Sequence, residues 1–472
     1  MDDRFQFIIT TPARLSIDTK RKSIRSHVMQ GKNQKKRPLR PPSWIGRRLP
    51  DEIVPSVLGR PLTVPNKIGG EASCTSLPAE ISLEMLETLR KLKWATGPPN
   101  LGQKIEIVYH QSERSWFEPI KNDPACLHLT MFVAKAYQDS ITYGKQQEIS
   151  SLTALASFGK ALNLLQQRLL GSDSEASTSE STILVVTGLT MTATALGELE
   201  TASKHLKGLH KMVMLRGGLL ALGGNKQLQT KICRADLSVA LSVGCNTLFF
   251  SEDGISWDAY LASQKNTTFS NFQNPDLEPA SNPESIPLTL QRFIHRLDER
   301  LCRVWYDVSE VIGAINIAGQ CKRSIDYVLY QEAMISVHYR LVNLKFAPDG
   351  ANESIRLALL GFCSGVFLQW RAVKFHYKNL AQQLKRSLRQ SDLQGEVFVP
   401  DYVALWQLII AIVSVFDEQE KDAFQRTLAR VIGAMGLKSW IEVKSAVKSV
   451  LWVEALHDAP AKSLIEAALA VG

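Results

Sequence analysis

The 472-residue chain predicts a mainly α fold, a large helical domain preceded by a disordered basic N-terminal arm and a Pro-rich linker. Three observations predict it. Apolar residues recur at helical spacing in nearly every segment from about residue 124 onward. Only one stretch reads as a strand. Basic residues and prolines crowd into the N-terminal part, where such spacing is missing. With 45% hydrophobic and 21% charged residues, the composition is that of a folded protein rather than a disordered or fibrous one.

Residues 1–48 hold 13 of the 55 Lys and Arg but only Asp2, Asp3 and Asp18 of the 46 acids, a balance of +10. The other 424 residues balance at −1. Within the arm, Lys20, Arg21, Lys22 and Arg25 form one basic cluster and Lys35, Lys36 and Arg37 a second. Two such clusters on a flexible spacer suit nuclear import or non-specific contact with a nucleic-acid backbone, and they also suit a solvated end. Residues 49–77 are expected to be a linker, because seven of the twenty prolines fall between Pro38 and Pro65 and proline removes a backbone donor. No apolar h-region follows Met1, which argues against a secretory signal, and Asp2 and Asp3 argue against a mitochondrial presequence.

The helical body is expected over 78–472, with a break near the Asn/Pro/Ser-rich interval 264–287. Ile81, Met85, Leu89 and Leu92 stack on one side of a first helix. Residues 104–109 read as a lone short strand. Leu152, Leu155, Phe158, Leu162, Leu165 and Leu169 trace an apolar face through 146–170, and a Ser/Glu-rich loop follows at 172–182. Further helices are expected at 183–199, 203–216, 226–250, 287–318, 325–346, 354–389, 401–417, 420–435, 440–456 and 461–470. The apolar runs 183–196, 357–370 and 404–416 fall short of the ~20 residues of a membrane helix and read as buried, so no membrane partner is expected.

Catalytic patterns fail on chemistry. Gly361-Phe362-Cys363-Ser364-Gly365 imitates a nucleophile elbow, which needs a strand before it and a helix after it. Here it falls inside one continuous apolar helix, and a free Cys there is a packing residue. Gly218 to Asn225 has glycines at P-loop spacing but no Lys-Ser/Thr. The seven cysteines, with Cys233 and Cys245 the nearest pair at twelve apart, offer neither a zinc pattern nor a disulfide framework and suit a reducing compartment. No cofactor, metal site or enzymatic activity is therefore expected. On the 354–389 helix, Arg371, Lys374, Lys378, Lys385 and Arg389 fall within roughly 60° of one face at 100° per residue. No acid lies between Glu353 and Asp392. That basic face suits phosphate or an acidic partner, and equally a solvated surface.

One string carries a family resemblance. His205, Gly208, Leu209, Met212, Val213, Arg216, Gly217 and Gly218, followed by Leu222, Asn225, Leu228, Lys231, Arg234, Asp236 and Leu237, resemble the fungal-specific transcription factor domain. That domain is the helical regulatory region behind the zinc-cluster module of many fungal regulators. Phe5-Gln6-Phe7, Pro12, Ile24 to Met29 and Lys35 to Arg37 are similar to the start of a subgroup lacking the zinc cluster, and Asp123-Pro124 to His128 also match. The resemblance spans most of 1–250. The chain departs from the zinc-cluster members in having no cysteine before Cys74, so thiolate-ligated base readout is excluded. The resemblance implies a nuclear regulator of transcription whose body binds protein partners, a second copy or a small effector. The alternative is a co-regulator or scaffold without DNA binding of its own, in nucleus or cytoplasm. Read physically, Leu206, Leu209, Val213 and Gly217 form a helix seam that Met212, Leu215 and Leu219 widen. Arg216 at its C-terminal end offsets orphan carbonyls. Arg234 and Asp236, two apart on one helix, cannot face each other.

Overall fold

The computed structural model describes residues 82–96, 106–108, 118–143, 152–171, 173–222, 224–250, 287–321, 324–370, 373–390 and 399–471, all within the compact unit Gly69–Gly472. The basic clusters from Lys20 to Arg37, the linker 49–77, Arg371 and most of 264–287 lie outside the described residues. The mainly α class is borne out.

The first half is built from α1 (Leu83–Thr96), α2 (Glu118–Asn122), α3 (Pro124–Tyr143), α4 (Leu152–Leu170), the one-turn α5 (Ser174–Ser177), α6 (Glu180–Ala195), α7 (Leu199–Leu215) and α8 (Lys226–Val243). Local chemistry sets the boundaries. Asp123 caps α3, accepting from Ala125 N at 2.8 Å and Cys126 N at 3.2 Å, with Pro124 in the first turn where its missing N–H costs nothing. Ser179 caps α6 through Thr182 N. Inside α6 the buried Thr187 and Thr190 hydroxyls donate to the Ile183 and Val186 carbonyls, so these polar side chains are satisfied within an otherwise apolar helix. The expected Ser/Glu-rich loop at 172–182 thus contains α5 and the start of α6.

The second half comprises α9 (Leu288–Ile294), α10 (Glu299–Cys321), α11 (Tyr327–Asn343), α12 (Ala351–Phe367), α13 (Lys378–Gln390), α14 (Asp401–Ile410), a five-residue π-helix Ala411–Val415, α15 (Glu418–Ala434), α16 (Trp440–Lys448) and α17 (Glu454–Val471). Helices on both sides of 251–286 share one apolar core, running from Ala125 through Leu237 to Trp406 and Ala468. Its centre is aromatic: the Trp305 and Phe362 rings each lie 5.9 Å from Trp406, whose Nε1 donates to the Leu451 carbonyl at 2.7 Å. Nearly every residue of α12 is buried. Added Cβ atoms on Gly361 and Gly365 would come within 2.9 Å of Val415 Cγ2 and 2.8 Å of Ser414 Oγ, so these glycines let the π-helix lie against α12. Cys363 between them is buried inside that helix, and burial pushes its thiol pKa far up, as a packing residue rather than an elbow requires.

Several expectations are corrected. The lone strand has a partner: β1 (Glu106–Val108) pairs in parallel with β2 (Ser324–Asp326), in the register Ile107 to Ile325. Three residues leading straight into α11 are too short to stand out from a helical pattern. On α4 the predicted apolar face is mostly uncovered, with Leu152 82%, Leu155 48%, Leu162 38% and Leu169 49% exposed. The helix instead turns Ala154, Ala161 and Leu165 inward, and Phe158 stacks on Phe132 of α3 at 4.5 Å. The 354–389 helix is two helices: α12 stops at Phe367 and α13 starts at Lys378, with a bridge between Trp370 and Val373. The 287–318 helix is likewise split, and the 226–250 helix ends at Val243, where Gly244 adopts φ +82°. No helix of the described residues is long and apolar enough to cross a membrane.

Candidate functional site

The 205–237 string folds as a helix, a glycine reversal and a second helix. Leu206, Leu209, Met212 and Val213 bury the inner side of α7, whereas Leu215 is 69% exposed, so the seam is narrower than its spacing predicts. Gly217 and Gly218 follow with φ of +92° and +89°, conformations open to glycine, and Gly218 N donates back to the Val213 carbonyl at 3.0 Å. A 3₁₀ turn at Leu219–Leu222 leads to Asn225, whose side chain caps α8 through Leu228 N at 3.1 Å. Gly208 is exposed with open space around an added Cβ, and nothing in the structure explains it. Arg216 does not serve its own helix end: its guanidinium donates to the Thr178 carbonyl at 3.2 Å. His205 is half-buried, and desolvation lowers its pKa against the opposing charge of Glu198.

Arg234 and Asp236 diverge, as their spacing requires. The Arg234 guanidinium sits 4.7 Å from the centre of the Phe367 ring. Asp236 is fully buried and accepts from Leu248 N and Phe249 N, each at 3.0 Å, and from the Tyr339 hydroxyl at 2.9 Å. This clasp folds the segment after α8 back onto the helix and ties it to α11; His210 completes it against the Phe249 ring at 5.1 Å. Burial raises the pKa of Asp236, with the three hydrogen bonds and His210 opposing.

The first turn of α8 also forms one wall of a cavity of about 370 Å³. The opposite walls come from α2 and the first turn of α6, so that Glu118, Asn122, Glu180, Ser181, Asn225 and Lys231 meet around one space. Asn225 Nδ2 donates to Glu180 Oε2 at 2.8 Å, and Asn122 Nδ2 to Glu118 Oε2 at 3.0 Å. Behind this wall, Arg168 grips Asp123 through two bonds of 2.7 and 2.8 Å. Burial alone would raise the Asp123 pKa, but the bonds from Arg168, Ser181 and Cys126 N overcome it and hold the carboxyl below its ordinary value. Lys231 is different. It has no hydrogen-bond or ion-pair partner among the described residues, and desolvation lowers its pKa. The groups that bear on it electrostatically are the Arg234 guanidinium and the Cys126 thiol, which burial pushes up to about 12 and so keeps neutral at pH 7.

The predicted basic face is not assembled. Lys374 lies off the helix, donating to the Val413 and Phe416 carbonyls at 3.0 and 2.8 Å, where it satisfies the end of the π-helix. Lys385 pairs with Glu420 at 2.6 Å, Arg389 lies over Phe424 at 6.0 Å, and Lys378 is exposed. Among the described residues one group, His376, Asp417 and Glu420, brings three candidate metal-ligand atoms within 4.8 Å of one another. The Lys385 ammonium already neutralises Glu420, and Asp417 and Glu420 exchange backbone hydrogen bonds as the capping box of α15.

Sequence reasoning placed Asn225 and Lys231 in the string but gave them no role, and it missed Glu118 and Glu180. A lysine three residues after Leu228 and four before Ala235, both buried, was the legible sign. The chain matches no family model, no curated protein and no solved structure.

Proposed function

We propose that the chain is a nuclear transcription-regulator-like protein of the fungal-specific transcription factor domain type, lacking the zinc cluster. Its helical body binds a protein partner, a second copy or a small effector, and its basic arm serves nuclear import or non-specific phosphate contact. The observation that carries this reading is the segregation of charge, +10 over residues 1–48 against −1 over the rest. A cavity of about 370 Å³ beside the 205–237 string, with Glu118, Glu180, Asn225 and Lys231 among its lining residues, supports the effector-binding part.

Chromatin occupancy of the full chain, compared with that of residues 49–472, tests the reading. The full chain is expected in the nucleus and on chromatin, and the shortened chain is expected to lose both. Unchanged nuclear residence and unchanged occupancy after removal of the arm would sink it. If all seven clustered cations, Lys20, Arg21, Lys22, Arg25, Lys35, Lys36 and Arg37, met phosphates, the affinity for duplex DNA would fall with a log–log salt slope of about −6. The missing N-terminal cysteines favour a second reading, a co-regulator or scaffold without DNA binding. Low-salt gel shifts that show no binding at all would select it.

A further inference from the structure

The side of α4 that its neighbours leave open is an apolar seam. Leu152, Leu155, Leu162 and Leu169 are exposed there, and Leu170, 78% exposed, joins them. At 100° per residue these leucines fall within about 100° of arc, together with the exposed Gly159 and Gln166. Both charges of the helix lie outside that arc: Lys160 is on the far flank, and Arg168 turns inward to Asp123. The leucines leave on the order of 500 Å² of apolar surface on one helix, near the upper end of what a monomer exposes in one patch.

The spacing of the seam decides what fits it. Leu155, Leu162 and Leu169 recur every seven residues, and Leu152, Gly159 and Gln166 each precede one of them by three, the two rows of a coiled-coil helix. Run antiparallel against a copy of itself, one row meets the other. Leu169 then faces Leu152, Leu155 faces Gln166 and Leu162 faces Gly159, each pair occurring twice about a two-fold axis between Lys160 and Ala161. The seam therefore carries both a knob and the hole that receives it. A Cβ added to Gly159 would meet nothing within 4 Å in its own chain, and glycine in mid-helix is otherwise unfavourable. A parallel pair would set Gly159 against Gly159 and leave a void. Charge points the same way, since the seam gives a charged partner nothing to grip and a second copy brings no like charge against it.

We propose that α4 is a self-association helix, through which two copies of the chain pack antiparallel with Leu162 of each over Gly159 of the other. The inference rests on the reading of the body as an association module and commits it to one surface and one partner. Two seams closed on each other bury about 1,000 Å² in total, the lower bound of a specific interface, so the dimer is reversible with a Kd in the micromolar range.

Sedimentation velocity of the purified full chain without DNA, from below to well above micromolar concentration, tests this. The chain is expected to pass from monomer to dimer with no larger species. Leu162→Lys is expected to weaken the dimer at least about tenfold with an unchanged circular dichroism spectrum, and Leu155→Lys to do the same, which keeps the test decisive if one variant misfolds. Ile441→Lys, at a residue 76% exposed on α16, is expected to leave the dimer as it is. Gly159→Leu adds apolar surface but fills the hole, and is expected to weaken the dimer at least about tenfold; Leu162→Ala in the same chain is expected to restore most of the loss. A chain that stays monomeric at every concentration overturns the proposal and leaves the seam to a different protein. So does a dimer that neither lysine variant weakens, or one that Gly159→Leu strengthens. Because DNA is absent, these outcomes are separate from chromatin occupancy: a chain that fails to reach chromatin can still dimerise through α4, and a monomeric one can still be carried there by its arm.

Discussion

Asp236→Ala removes the acceptor on which three donors converge. Leu248 N and Phe249 N sit 3.0 Å from its oxygens and the Tyr339 hydroxyl 2.9 Å away. A backbone N–H left unpaired in the interior costs ~1–3 kcal/mol, so the two amides alone set a range of ~2–6 kcal/mol. The carboxylate is itself unfavourable to bury, as its raised pKa states, and its removal returns part of that cost. The expected loss is therefore near the low end, ~2–3 kcal/mol. Tyr339→Phe removes one bond to the same carboxyl and is expected to cost ~1.5 kcal/mol. The double variant should cost less than the two together, because both single changes delete the same bond.

Two measurements read this out. Urea unfolding of the full chain gives the stability differences, and amide exchange at Leu248 and Phe249 locates them. The pH dependence supplies an independent sign. Burial places the folded pKa of Asp236 above the ordinary aspartate value of 3.8. The stability contributed by this group is thus fully present below that value and is lost as pH rises from it through the folded pKa. Wild type and Asp236→Ala should differ more near pH 4 than near pH 7. A cost below about 0.5 kcal/mol, unchanged exchange at the two amides, or a difference that grows with pH refutes the clasp.

Arg168→Ala leaves the Asp123 carboxylate, only 9% exposed, without its bidentate partner and is expected to cost ~2–3 kcal/mol at pH 7. Because the folded pKa of Asp123 is depressed, its stabilisation is complete above the ordinary carboxyl value and is lost as pH falls through the folded pKa. Urea midpoints from pH 3 to 7 should accordingly fall less steeply on the acid side in the variant. Gly361→Ala and Gly365→Ala each push a Cβ to within 3 Å of the π-helix and are expected to destabilise by ~1–3 kcal/mol in thermal melts. Gly208→Ala, with open space around it in the middle of α7, should instead gain ~0.5–1 kcal/mol. Leu162→Lys on the uncovered side of α4 is expected to stay within ~0.5 kcal/mol of wild type, whereas Leu165→Ala loses ~2 kcal/mol or more.

Helical periodicity made the class legible and also explains where the reading erred. A stripe of leucines marks the apolar side of α4 but does not say how far around that side its neighbours reach. Ala154 and Ala161 let α3 approach closely, so burial centres on the alanines and leaves Leu155 and Leu162 outside. The basic face failed for another reason: 100° per residue holds only while the helix continues. Gln369 to Tyr377 contains no Gly or Pro to announce a break. Tertiary bonds impose it, with the Gln369 side chain paired to Phe375 N and Lys374 drawn to the π-helix carbonyls. Arg234 and Asp236 were legible as diverging because their spacing alone decides it. The cavity was half legible. Lys231 between the buried Leu228 and Ala235 is a sequence-level anomaly, but its distance from Glu118 and Glu180 along the chain hides that all three line one space.

The dispersal of the basic face bears on where phosphate contact would have to arise. Of its four described members, Lys374 satisfies backbone carbonyls, Lys385 neutralises Glu420 and Arg389 covers an aromatic ring. Only Lys378 is left as an exposed cation with no such assignment. Other body cations behave likewise: Arg340 pairs with Asp307, Arg356 with Glu353 and Lys444 with Asp458. A chain whose charges outside residues 1–48 balance at −1, and several of whose body cations are already paired, has little field there to attract a polyanion. The arm carries +10 in 48 residues. If this protein meets nucleic acid, the salt dependence of that encounter therefore has to follow Lys20 to Arg37 and not the 371–389 region. Neutralising Lys378, Lys385 and Arg389 should leave the slope of affinity against salt unchanged, while neutralising Lys35, Lys36 and Arg37 should flatten it by about 0.9 for each lost phosphate contact. The opposite pattern would transfer DNA contact to the body and remove the reason for reading the arm as anything more than a solvated end.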